Sequence, residues 1–154
     1  MQLNGAIIFT DGSCHTQLKI GAWVAIILIE EHKIILSEKK LNTSHQRMEL
    51  MAVIKGLQHI QQNFSHLKSV KIVSDSQYVV GLIARQPKLE ATNFMTKANE
   101  PITNADWVKL LFATLKNFDC DFEKIKAHQK KTATINYNIE ADKLSRKMVR
   151  DAVR

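Results

Sequence analysis

The stretch "GAWVAIILIE", residues 21–30, is apolar at almost every position. A strand with one wet face alternates apolar and polar side chains, whereas a continuous apolar run needs cover above and below. Its core, "AWVAIILI", is far too short to cross a bilayer, which takes about 20 residues of helix. The run therefore predicts an inner strand buried on both faces of a sheet. Its neighbours extend the pattern. "LNGAIIFT" (residues 3–10) and "HKIILSEKKL" (32–41) also read as strands, the latter joined by a short "EEHK" turn. Three strands with short connections form an antiparallel meander.

Beyond Ser44 the period changes. Leu50, Val53, Ile54, Leu57 and Ile60 recur at three- and four-residue spacing, which predicts a helix over 44–62. "SVKIVSD" returns to strand. "SQYVVGLIA" is helical until Pro87, and residues 85–103, which hold both prolines, read as loop or irregular helix. "NADWVKLLFATLKNF" is a helix with Asn104 as its cap. "CDFEKIKAH" is a strand, "KKTATINYN" a loop and "IEADKLSRKMVRDAV" the last helix. The order βββ-α-β-α-α-β-α predicts an α/β fold: one mixed sheet of five strands, an antiparallel meander plus two parallel strands, flanked by helices.

Length and charge narrow the function. The 154 residues suit one domain, 1–154, with a proper core. "MQLNGAIIFTDG" has neither a basic n-region nor a small-residue cleavage site, so no signal peptide is expected. The two cysteines, Cys14 and Cys120, suit a reducing cytoplasm and small buried hydrophobes better than a disulfide framework. Net charge is +7, unevenly spread. Residues 1–123 hold 13 Lys/Arg against 12 Asp/Glu, and residues 124–154 hold 9 against 3. A basic C-terminal fifth fits either an anionic partner, nucleic acid above all, or a well-solvated surface helix.

Four carboxylates stand out. Asp11 follows "AIIFT", Glu49 lies early in the first helix, Asp75 ends the fourth strand and Asp142 lies on the last helix. Each has a plainer reading: an Asp–Gly turn at Asp11, dipole preference at Glu49, a helix cap at Asp75, an i,i+4 pair of Asp142 with Arg146. Together they suggest a cluster. Ligands of α/β sheets gather outside the carboxyl ends of strands. Crowded carboxylates raise one another's pKa unless cations neutralise them. Oxygen donors without a Cys/His set suit Mg2+ rather than structural zinc. Two such ions can activate water and stabilise the leaving oxygen of a phosphodiester.

"TDGSC", "TSHQRMEL", "SDSQYVVGLI", "KAH" and "EADKLSR" occur in the order, and near the spacing, of type 1 ribonuclease H, which the chain resembles over nearly its whole length. The resemblance implies a ribonuclease H-like fold. It also implies Mg2+-dependent hydrolysis of the RNA strand of RNA–DNA hybrids, leaving a 3′-hydroxyl and a 5′-phosphate, with Mn2+ as a substitute. By that resemblance Asp11 bridges two metals, Glu49 and Asp75 complete one site, and Asp142 helps hold the other. His128 matches a mobile histidine that serves proton transfer or product release. Gln46 and Gln77 match amides that sense the ribose 2′-hydroxyl in the minor groove. Thr43 and Ser76 match small polar neighbours, with Thr43 seating a DNA-strand phosphate. Lys130 and Lys131 closely follow His128 and are expected to grip the duplex, with the protein acting as a monomer away from membranes.

The chain departs from the family pattern in places. Many bacterial members carry a glycine- and proline-rich turn where "HTQLKIGA" follows "DGSC", and an asparagine where this chain has His45. The basic protrusion falls in residues 85–104, where Arg85, Lys88 and Lys97 face Glu90 and Glu100. Rival readings are the ribonuclease H part of a reverse transcriptase, a transposase-type domain, a non-catalytic hybrid-binding module and a Mg2+ phosphatase for small molecules. The complete carboxylate set argues against the non-catalytic module, and the basic C-terminal segment against the phosphatase.

Overall fold

The computed structural model describes residues 5–125 and 133–154. The elements follow as β1 (Gly5–His15), β2 (Ile20–Ile29), β3 (His32–Lys40), α1 (His45–Asn63), β4 (Ser69–Ser74), α2 (Gln77–Ala84), α3 (Gln86–Ala91), α4 (Ala105–Leu115), β5 (Asp119–Lys124) and α5 (Ala133–Val153). The five strands form one sheet in the order β3-β2-β1-β4-β5. The β1–β2 and β2–β3 pairs are antiparallel, and β1–β4 and β4–β5 are parallel.

Strand alternation divides the core into two layers. Ile8, Ala25, Ile27 and Ile72 pack against the apolar faces of α1, α2 and α4, including Leu50, Val53, Leu57, Val79 and Leu111. Phe9, Val24, Ile26 and Val73 point the other way, against Ala141, Leu144 and Met148 of α5. The middle of β2 is buried on both faces, as its unbroken apolar run requires. Among the described residues no helix is long and apolar enough to cross a membrane.

The differences from expectation have physical reasons. β1 does not stop at residue 10; it pairs with β2 through Asp11–Val24 and Gly12–Trp23 as far as His15–Ile20, so Asp11–Gly12 is not a turn. Pro87 does not end the helical region; it opens α3 in the first turn, where its missing N–H costs nothing. Asn104 precedes α4 but makes no side-chain cap. Its backbone is left-handed (φ 59°), and its amide instead accepts from Arg47 Nε at 3.0 Å and donates to Tyr78 Oη at 3.4 Å. The last helix begins at Ala133, so "ATINYN" is helical rather than loop. These are weak helix formers, but Tyr137 stacks on Phe9 with ring centroids 5.2 Å apart, and tertiary packing overrides propensity. "KAH", predicted as the end of a strand, lies outside the described residues.

Candidate active site

The site grows out of the parallel β1–β4 register. Thr10 pairs with Ser74, so the next residues, Asp11 and Asp75, stand side by side where β4 ends. That is the crevice where α/β sheets bind ligands. Asp75 is not the helix cap. Ser76 is, its Oγ accepting from Val79 N at 3.1 Å. The same hydroxyl donates to Glu49 Oε2, so one serine starts α2 and anchors a carboxylate from α1.

Glu49 reaches the strand ends because β1 touches α1 through a glycine. A Cβ on Gly12 would lie 2.7 Å from Glu49 N and 2.8 Å from the Met48 carbonyl carbon, closer than any side chain allows. With no side chain there, Asp11, Glu49 and Asp75 each bring an oxygen within 4.8 Å of the other two. Asp142, from α5, joins them in the lining of the same cleft and holds Arg146 Nε at 3.0 Å.

Crowding and burial set the electrostatics. Burial first, then the charge of Asp75 and the contact with Asp142, push the Asp11 carboxyl up to about 8, against a small opposing pull from the Gly12 N–H. Burial also raises Glu49 and Asp75. At Glu49 it outweighs the Ser76 hydrogen bond and His45, whose Nε2 lies 3.1 Å from Glu49 Oε1. At Asp75 the nearby Asp142 charge adds to it. Among the described residues Asp11 Oδ2 is buried without a hydrogen-bond partner. A partnerless buried carboxylate oxygen facing other carboxylates is the donor set that a hard divalent cation completes.

The cleft encloses about 390 Å³ and is lined by the four carboxylates together with Gln46, Ser76 and Gln77. Thr43 does not line it. Its side chain is buried, and its methyl group occupies the space a Cβ on Gly21 would need. His128, Lys130 and Lys131 lie outside the described residues. Sequence reasoning did not assign Ser13, Tyr78 and Arg146 to the wall, and it left His45 aside as a departure. The i,i+4 spacing of His45 with Glu49, and of Arg146 with Asp142, was the available signal.

Sheet order, flanking helices and a carboxylate cleft at adjacent strand ends define an α/β enzyme domain of the ribonuclease H-like fold. The sequence comparisons name the family. The RNase H family model matches residues 4–150. A ribonuclease H of Caldicellulosiruptor saccharolyticus is 31% identical over 147 residues, covering 94% of this chain and 96% of the relative. A ribonuclease H of Wolbachia pipientis wMel is 31% identical over 153 residues, covering 99% and 100%. The chain belongs to the ribonuclease H family.

Proposed function

We propose that this protein is an endonuclease that hydrolyses the RNA strand of RNA–DNA hybrids, leaving a 3′-hydroxyl and a 5′-phosphate, by a two-metal mechanism with Mg2+. The observation that carries this reading is the convergence of carboxylates from three separate elements on one point, with the Asp11 Oδ2 oxygen unpartnered. Asp11, Glu49, Asp75 and Asp142 would hold the ions. Bound there, Mg2+ supplies the positive charge that lets these acids ionise together, and it lowers the pKa of an attacking water.

The remaining work falls to the chain's own groups. Ser76 and His45 fix the two oxygens of Glu49. Gln46 and Gln77 project from the first turns of α1 and α2 into the cleft, where an amide can donate to and accept from a ribose hydroxyl. That contact is what would separate RNA from DNA. His128 would carry a proton to the departing oxygen or help release product, and Lys130 and Lys131 would grip the duplex. Thr43, being buried, would support the turn before α1 rather than meet a phosphate.

The test is cleavage of one end-labelled sequence presented as RNA–DNA hybrid, RNA duplex and DNA duplex, with Mg2+ or with EDTA. Cutting confined to the RNA of the hybrid, and lost in EDTA, is expected. Binding without cutting would favour a scaffold module, and cutting of the DNA duplex would favour a transposase-type activity.

A further inference from the structure

A second depression opens beside the acidic cleft and shares three of its side chains, Ser13, His45 and Arg146. It encloses about 460 Å³ and is completed by Cys14, His15, Val149 and Arg150. Among the described residues no acidic side chain lines it. The two walls leave the cleft together. On β1, the two-residue period puts Asp11, Ser13 and His15 on one face, and Asp11 to His15 spans about 13 Å of strand. On α5, Asp142, Arg146, Val149 and Arg150 follow one another at i, i+4, i+7 and i+8, one helical face, and Asp142 to Arg150 spans about 12 Å. Ser13 Oγ meets Ser145 Oγ at 2.8 Å and ties the walls together, while Ser145 also donates to the Asp142 carbonyl at 3.1 Å.

We propose that this groove is a subsite for the sugar–phosphate backbone of the strand whose phosphate enters the cleft, with Arg150 as its outermost phosphate-binding side chain. The inference rests on the reading of the protein as a nuclease of RNA–DNA hybrids and deepens it. Three observations on the groove agree. Its polar rim is basic where the cleft is acidic, which is the charge order needed by a polyanion held by cations at one point and by side chains beyond. Val149 and Cys14, which also line it, add apolar surface for contact with sugar edges. The run from Asp142 in the cleft to Arg150 at the far end of the groove, about 12 Å, corresponds to roughly three or four nucleotide steps at 3.4 Å of rise per strand.

The groove also separates the charges of α5. Lys147 is turned away to Asp151, at 2.6 Å, and Lys143 lines neither depression. Arg146 is already engaged by Asp142 at 3.0 Å, which leaves Arg150 as the guanidinium of this face with its planar fork available for a bidentate phosphate contact.

The experiment compares Arg150→Ala, Arg150→Lys and Lys143→Ala with wild type. Steady-state kinetics on a hybrid in Mg2+ give KM and kcat, and binding in Ca2+ across a KCl series gives the salt slope. Arg150→Ala should raise KM several-fold with kcat nearly unchanged and flatten the slope by about 0.9, one phosphate contact. Arg150→Lys should recover the slope but only part of the KM, because the charge returns without the fork. Lys143→Ala, the same charge change about two turns earlier on α5 at a side chain that lines neither depression, should leave all three at wild-type values. Wild-type cleavage of the hybrid with Arg150→Ala indistinguishable from Lys143→Ala overturns the groove assignment alone. Failure of the wild type to cut the hybrid overturns the proposed function, and the groove assignment falls with it.

Discussion

The acidic cleft and the basic groove sit side by side, yet they are built in different ways. The cleft is set by backbone: two parallel strands in register, a helix pressed against a glycine, and Asp11 and Glu49 buried beside the partly exposed Asp75 and Asp142. The groove is set by side chains on two walls, with His45, Arg146 and Arg150 exposed, and among the described residues a pair of serine hydroxyls ties the walls together. A site that must hold ions at fixed distances needs the first kind of construction. A site that holds a flexible polyanion is served by the second, because counterion release rewards charge more than geometry.

The largest effect expected from breaking this contrast is at Asp11. Asp11→Asn should reduce hybrid cleavage to background while leaving hybrid binding in Ca2+ measurable through the groove and the Gln46 and Gln77 wall. Substantial cleavage by the purified variant would remove Asp11 from the centre of the site.

A smaller, graded effect should appear in stability. The folded-state pKa of Asp11, about 8, lies above its ordinary value of 3.8. In the metal-free protein that group favours the fold fully below pH 3.8, and its contribution is lost as pH rises from there through about 8. Metal binding displaces the retained proton, so the rise in Tm on adding Mg2+ should be larger at pH 8.5 than at pH 6. Asp11→Asn should flatten that difference. Thermal melts at the two pH values decide it, and an equal Mg2+ increment at both would contradict the electrostatics drawn for the cleft.

The smallest effect concerns grip at a distance. Lys130→Ala/Lys131→Ala should flatten the salt dependence of hybrid binding more than Arg85→Ala/Lys88→Ala/Lys97→Ala does. The second set lies in a segment whose three basic residues face Glu90 and Glu100, and Gln86 already ties Glu90 at 2.7 Å. The reverse ranking would move the main electrostatic handle to residues 85–104.

How legible each part was in the sequence follows from the same contrast. Double-sided burial of β2 leaves a run that local pattern reveals, and the α1 face shows as a helical period. The carboxylates are identifiable because each sits in a short motif and the motifs keep their order. What stayed hidden depends on partners distant in sequence. Nothing local says that β1 continues to His15, because the extension exists through pairing with β2 from Val24 to Ile20. Asn104 has the composition of a cap, yet Arg47 and Tyr78 claim its side chain. Ser76 and Asp75 are both good caps by type, and only the fold shows the serine doing that task and leaving the aspartate free. Thr43 looks like a phosphate contact until the missing side chain of Gly21 draws it inward.

The contact across Gly12 also bears on how such an enzyme can be redesigned. Because no side chain fits between β1 and the α1 backbone, Asp11 and Glu49 are spaced by main chain and not by any adjustable packing group. Libraries that vary Gly12, Met48 or the turn before α1 should return mostly inactive clones, since they change the spacing of two acids at once. Half-buried His15 and exposed Arg150, outside the acidic cleft, carry no such coupling through the main chain. Substrate preference, salt tolerance and processivity are therefore the properties open to stepwise engineering here, with the hydrolytic centre left as an untouched block.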